Sequence, residues 1–187
     1  PNHHFAWEVL GAVLLQTGRP VDSLDALKKS LELAPSNAGV HCNLGITLQQ
    51  LGRLEEAQAS YTQAIALRPD FCEAHNNLGN TLRELGRLEE AEVSYAQAIT
   101  VRPDYANAHY NLGTVLREQG KLEAAKTSLG RAIAIKPDHS DAHNNLGNTL
   151  AELGRLAEAE VSYGQAIALK PDSAEAHNNL ASTLQEL

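Results

Sequence analysis

The chain has 187 residues, 43% of them hydrophobic, with 23 acidic and 15 basic side chains and a net charge of -8. That balance opposes binding to a phosphate backbone, and no run of 18 apolar residues exists to span a bilayer, so neither nucleic acid nor a membrane is an expected partner. Aromatics at 4% suit narrow helix-to-helix seams filled by Ala and Leu rather than one large globular core.

Laid on itself at a period of 34, the sequence superposes Leu44, Leu78, Leu112, Leu146 and Leu180. Gly45, Gly79, Gly113 and Gly147 then coincide, as do Pro35, Pro69, Pro103, Pro137 and Pro171. A fixed period of this length marks a solenoid whose units cannot bury their apolar faces alone. Pro1, Asn2 and His3 sit in the register of Pro69, Asp70 and Phe71, so residues 1–3 read as the tail of a preceding repeat. The first unit, 4–37, diverges most: Trp7 and Leu10 stand in it, and Ser23 and Ser30 replace Ala. Pro20 falls early in its second helix, where a missing N–H costs little.

Units follow at 38–71, 72–105, 106–139 and 140–173, with a partial sixth at 174–187. In 72–105, Ala74, Leu78, Gly79 and Leu82 make one helical stripe. Leu88, Ala91, Tyr95, Ala98 and Ile99 make a second after Gly86. Each unit is thus predicted to be two helices joined by a Gly-bearing turn. Gly79 costs about 1 kcal/mol inside a helix, which predicts two backbones too close for a Cβ. Asp70 with Glu73, and Asp172 with Glu175, have capping-box spacing. Glu55, Glu56, Glu89 and Glu90 open second helices, and Arg68, Arg102, Lys136 and Lys170 close them, as the helix dipole favours.

No linker interrupts the repeats, so residues 1–187 form one expected array. In its last helix Leu180, Leu184 and Leu187 should be covered on one side only, inviting weak self-association. Cys42 and Cys72 give no disulfide framework, which points to a reducing, cytoplasmic setting. A chain that begins with Pro and holds no Met is expected to be a processed product or an excised piece.

His41, His75, His109, His143 and His177 recur at one slot, with Trp7 in the first unit. Zinc ligands must reach a metal at about 2 Å, whereas packed helices lie about 8–10 Å apart. The histidines therefore read as packing groups bonded across the seam, and no metal or cofactor is expected. No Ser, Cys or Lys has a base and an orienting partner, so no catalysis is expected within these residues. Asn43, Asn77, Asn111, Asn145 and Asn179 form a second periodic set, joined by Asn76, Asn80, Asn144, Asn148 and Asn178. Asn is a poor helix former, so these amides either tie helices together or line a wall that pairs with a peptide backbone. Glu84, Glu118, Glu152 and Glu186, with Arg83 and Arg117, would face the same groove as a net acidic rim suited to neutral or basic segments.

The pattern His75, Leu78, Gly79, Leu82, Ala91, Tyr95, Ala98 and Pro103 resembles the tetratricopeptide repeat over the whole chain. Departures are Ser23, Leu27, Ser30, Leu129 and Ala181. The resemblance implies an all-α, right-handed α-α superhelix of five hairpins plus a partial sixth, with first helices on the concave face, used as a scaffold for protein or peptide partners in extended form. The ladder Asn43, Asn77, Asn111, Asn145 and Asn179 further resembles the repeat region of O-linked N-acetylglucosamine transferases, where such amides hold a substrate's backbone. Val9 breaks the ladder in the first unit. The catalytic domain of that family is absent, so the resemblance implies substrate recruitment at most. Gly39, Glu73, Asn107 and Asp141 are not basic, unlike the carboxylate-clamping repeats that bind chaperone tails. A structural, self-assembling array is the third reading.

Overall fold

A computed structural model describes residues 3–187. Of the expected preceding-repeat tail, Pro1 and Asn2 lie outside the described residues. The described residues form eleven α-helices and no strand. Five hairpins pair α1 (His4–Gln16) with α2 (Pro20–Leu33), α3 (Ala38–Gln50) with α4 (Leu54–Leu67), α5 (Cys72–Glu84) with α6 (Leu88–Val101), α7 (Ala106–Glu118) with α8 (Leu122–Ile135), and α9 (Ser140–Glu152) with α10 (Leu156–Leu169). Helix α11 (Ala174–Glu186) is the first helix of the partial sixth repeat. The chain divides into two compact units, one holding α1–α6 and ending at Val101, the other running Arg102–Leu187 and holding α7–α11.

Each hairpin turns on a glycine, Gly18, Gly52, Gly86, Gly120 or Gly154, at φ between +72° and +75°. A Cβ at these sites would meet nothing, so only the left-handed dihedral requires glycine. The glycines inside first helices answer a different demand. A Cβ on Gly45, Gly79 or Gly147 would lie 2.5–2.6 Å from a ring carbon of Tyr61, Tyr95 or Tyr163. The close approach expected between two backbones is therefore an approach of backbone to ring. At Gly113 the intruder is the Leu129 side chain, with the Leu129 backbone nitrogen 3.1 Å away.

The capping boxes do not form. Phe71 is the N-cap of α5 and makes no side-chain cap bond, while Ser173 caps α11 by accepting from the Ala176 N–H. Asp70 and Asp172 fall one residue too early, and Asp70 instead takes the Cys72 N–H on its backbone carbonyl at 3.0 Å. At second helices, Arg53 grips Glu56, Arg87 grips Glu90 and Arg155 grips Glu158, each through two bonds of 2.6–2.7 Å. Those bonds hold the three carboxylates below the usual range. Pro20 occupies the first turn of α2, as expected. The Ser23 hydroxyl donates to the Gly11 carbonyl at 2.8 Å and that of Ser30 to the His4 carbonyl at 3.0 Å, so both buried hydroxyls are satisfied.

Within each unit, successive first helices touch: α1 with α3, α3 with α5, α7 with α9, and α9 with α11. The backbones of successive second helices stand apart, because the following first helix lies between them. This asymmetry corrects the expected core. Leu44, Leu78, Leu112, Leu146 and Leu180 are only half-buried. The buried leucines are one turn on, at Leu48, Leu82, Leu116 and Leu150, beside Tyr61, Tyr95, Tyr163 and the alanines of the second helices.

Candidate functional site

The ladder asparagines lie on first helices and are all half-buried. In the second unit the structure gives them defined partners. The Asn145 amide nitrogen donates to the Tyr110 hydroxyl and to Thr114 Oγ1, both at 3.2 Å, crossing from α9 to α7. That of Asn179 donates to Asn144 Oδ1 at 3.1 Å and to Asn148 Oδ1 at 2.9 Å, crossing from α11 to α9.

The direction of this last network follows from its ends. Glu175 carries a carboxylate that only accepts, so Asn144 turns its nitrogen to it at 2.8 Å and its oxygen to Asn179. The Tyr163 hydroxyl, a phenol whose pKa burial raises further, donates to Asn148 Oδ1 at 2.8 Å. Asn179 must then offer nitrogen to both oxygens. Its own Oδ1, like that of Asn145, takes no bond among the described residues and is not shut away from solvent.

The first unit is built differently at the same slots. Asn77 faces Cys42 and Ile46 where Asn179 faces Asn144 and Asn148. Burial, then the Glu73 carboxylate, pushes the Cys42 thiol up to about 11, against Arg68 and a bond to Asn77. A bond that favours thiolate is donated by the amide, so Asn77 has one sulfur acceptor where Asn179 has two carbonyl oxygens. Its Oδ1 receives the Asn76 nitrogen at 3.4 Å. Asn43 makes no side-chain bond among the described residues, its opposing slots being Glu8 and Ala12.

Other predicted groove residues also have structural duties. Asn80 Oδ1 accepts from the Tyr95 hydroxyl at 2.8 Å, the counterpart of Asn148 with Tyr163. Where Leu129 replaces tyrosine, Thr114 stands at the amide slot and donates to the Tyr110 carbonyl at 3.0 Å. Glu84 accepts from Gln49, tying α5 to α3. Arg117 Nη1 donates to Glu152 Oε1 at 2.7 Å, tying α7 to α9. Arg83 and Glu118 are exposed at the ends of α5 and α7, and Asn111 is half-buried on α7. Asn76 and Asn144 are buried, at 5% and 7% exposure, rather than on an open wall.

The histidines bond locally and not across the seam. Nε2 of His41, His75, His109, His143 and His177 lies 2.8–3.0 Å from the carbonyl of Pro35, Pro69, Pro103, Pro137 and Pro171 respectively. A carbonyl only accepts, so Nε2 carries the proton and each ring ties its helix to the preceding turn. Among the described residues no group of His, Cys, Asp or Glu is arranged to hold a metal, and no helix is long and apolar enough to cross a membrane. Sequence reasoning missed the tyrosine-to-amide bonds and Gln119. The pairing of Tyr95 with Asn80, Tyr163 with Asn148, and Leu129 with Thr114 was the available signal.

Tetratricopeptide-repeat family models match residues 70–138, 110–174, 47–82 and 26–59. No curated protein matches the chain. Among solved structures it is similar to YrrB, described as a TPR protein with an unusual peptide-binding site, at 21% identity and TM-score 0.79 over 100% of this chain and 93% of that one. It is also similar to TTC0263, a thermophilic TPR protein of Thermus thermophilus, at 25% identity and TM-score 0.73 over 98% and 100% of the two chains. Pseudomonas aeruginosa pilF is 24% identical, with TM-score 0.80 over 98% and 90%. From residue 26 to residue 174 the chain is built of tetratricopeptide repeats.

Proposed function

We propose that this chain is a non-catalytic interaction scaffold whose first helices hold an extended peptide segment. The observation that carries this reading is the state of Asn145 and Asn179. Each is fixed through its nitrogen while its oxygen is left unbonded, an acceptor pre-oriented for a backbone N–H at little further entropic cost. Asn43, Asn77 and Asn111 occupy the same slot on the other first helices. Backbone contacts supply affinity with little selectivity, and neighbours such as Arg83, Glu84, Arg117 and Glu118 supply the rest. The likeness to YrrB, a protein described by its peptide-binding site, supports the class of partner. Weak self-association through α11 belongs to the same proposal, since Leu184 and Leu187 are 51% and 63% exposed.

The test is a peptide selected from a displayed library and titrated by calorimetry against the wild type and the Asn43→Ala/Asn77→Ala variant. Those two amides carry little structural load, so binding should weaken by about 1–3 kcal/mol, at 0.5–1.5 per hydrogen bond, while the melting temperature hardly moves. Unchanged affinity both in the folded double variant and in a folded Asn145→Ala/Asn179→Ala variant would end the case for the amides as the binding surface.

A further inference from the structure

The half-burial of Leu78 has a physical cause, and it marks a second surface. The backbones of α4 and α6 stand apart with α5 between them, and Arg87 at the head of α6 donates to Gln58 of α4 at 2.8 Å. Over α5 this leaves a groove of about 450 Å³, floored by Leu78 and Leu82 and walled by Gln58 and Thr62 of α4 and by Glu89 and Val93 of α6. The second unit has a smaller counterpart over α9, of about 340 Å³, with Leu146 and Leu150 as floor and a wall from α10 alone, including Ala157 and Val161. Val93 and Val161 are 61% and 64% exposed, although nothing in the hairpin requires an apolar residue there. An apolar floor under an exposed β-branched rim is surface whose burial by a partner is favourable.

The rims differ in charge. Glu90 and Glu158 are each neutralised by an arginine, Arg87 and Arg155. Glu89 has no ion-pair partner among the described residues, and its counterpart in the second unit is Ala157. The first-unit groove is therefore apolar with one unbalanced carboxylate.

We propose that the groove between α4 and α6 is a docking surface, distinct from the ladder face, for an amphipathic helix that inserts an aliphatic side chain over Leu78 and sets a lysine or arginine against Glu89. Walls from α4 and α6 about an apolar floor match the helix-in-groove mode, and the carboxylate selects a cationic flank. Glu89→Ala removes that carboxylate alone, since the second unit also has Lys126 and Gly130 where the first has Gln58 and Thr62.

The probe is a synthetic amphipathic helix of Leu and Lys, compared with a Leu and Glu helix of the same pattern and followed by methyl NMR. The Leu/Lys helix should shift the Val93, Leu78 and Leu82 methyls more than those of Val161 and Leu146, and the Leu/Glu helix should not bind. Glu89→Ala should weaken binding about two- to fivefold, the size of an exposed ion pair. Val93→Asp should abolish the response at Val93's groove and leave Val161's intact. Shifts confined to the ladder amides, or unchanged affinity in a folded Val93→Asp variant, would overturn the docking surface. Equal binding of the two probes, or no effect of Glu89→Ala, would overturn the cationic partner. Neither result depends on the ladder amides, so the peptide-binding proposal is tested separately.

Discussion

Asn77 in the first unit and Asn179 in the second occupy one slot on equivalent helices, yet they do different work. Asn179 is braced by two carbonyl oxygens whose direction Glu175 and Tyr163 dictate. Asn77 leans on a single buried thiol. The difference teaches that a periodic polar residue is not one thing repeated: its role depends on what the previous repeat offers 35 and 31 positions back. In the second unit Asn145 and Asn179 are part of the fold and their oxygens are the free groups. In the first unit the same amides carry little structural load.

The largest effect expected bears on what the two units share. Tyr95 and Tyr163 are 0% and 2% exposed, fill the space over Gly79 and Gly147, and bond Asn80 and Asn148. Tyr95→Ala and Tyr163→Ala should each cost about 3–5 kcal/mol locally, read by native-state hydrogen exchange in the unit concerned. Leu78→Ala should cost distinctly less than Leu82→Ala, since Leu78 is half open to the groove. Equal costs would return Leu78 to the core.

A transplant sharpens the contrast. Cys42 holds the slot of Asn144, and Glu73 that of Glu175. Cys42→Asn should let Asn77 donate to a carbonyl while Glu73 takes the new amide nitrogen. Stability of the α3–α5 pair should rise by about 1 kcal/mol, two net hydrogen bonds less the lost thiol packing. A fall on urea unfolding, in a protein that keeps its helical content, would mean the brace needs more than these residues.

The second unit also carries a defect that the first lacks. Gln119 stands where other repeats have Leu51, Leu85 and Leu153, and both its amide atoms are buried without a hydrogen bond. Leaving such a group unpaired costs about 1–3 kcal/mol, so Gln119→Leu should raise the melting temperature.

A smaller effect concerns pH. His139, packed on Tyr110 with ring centroids 4.7 Å apart, holds the slot of Phe71. Burial first, and then Lys136, lowers its pKa against the pull of Asp141 and Asp138. A base depressed in the fold is protonated earlier when unfolded, so stability is unaffected above pH of about 6.5 and declines as pH falls below it. His139→Phe should flatten that decline in the second unit, and equal slopes for the two proteins between pH 7 and 5 would remove His139 as its source.

Much of this was legible in residues. The period, the hairpins and the turn glycines follow from spacing alone, because a left-handed turn and an apolar stripe each leave a local signature. Leu78 did not, since its half-burial depends on α4 and α6 standing apart, a property of stacked helices and not of one stripe. Asp70 looked like a cap because capping-box spacing fits two registers that differ by a single residue. The split roles of Asn77 and Asn179 were written in Cys42 and Ile46 against Asn144 and Asn148, but only the geometry shows that rungs bond backwards.

The central claim, that Asn145 and Asn179 brace the fold through nitrogen while Asn43 and Asn77 carry little structural load, is tested most directly by unfolding Asn145→Ala/Asn179→Ala beside Asn43→Ala/Asn77→Ala. Hydrogen exchange should show the second unit losing about 2 kcal/mol, from four hydrogen bonds and the acceptors they leave unpaired, partly offset by alanine's helix propensity. The first unit should lose under about 1 kcal/mol, since alanine's helix propensity offsets the two weak bonds of Asn77, to the Cys42 thiol and from Asn76. Equal losses in the two units, or a larger loss in the first, would contradict the account.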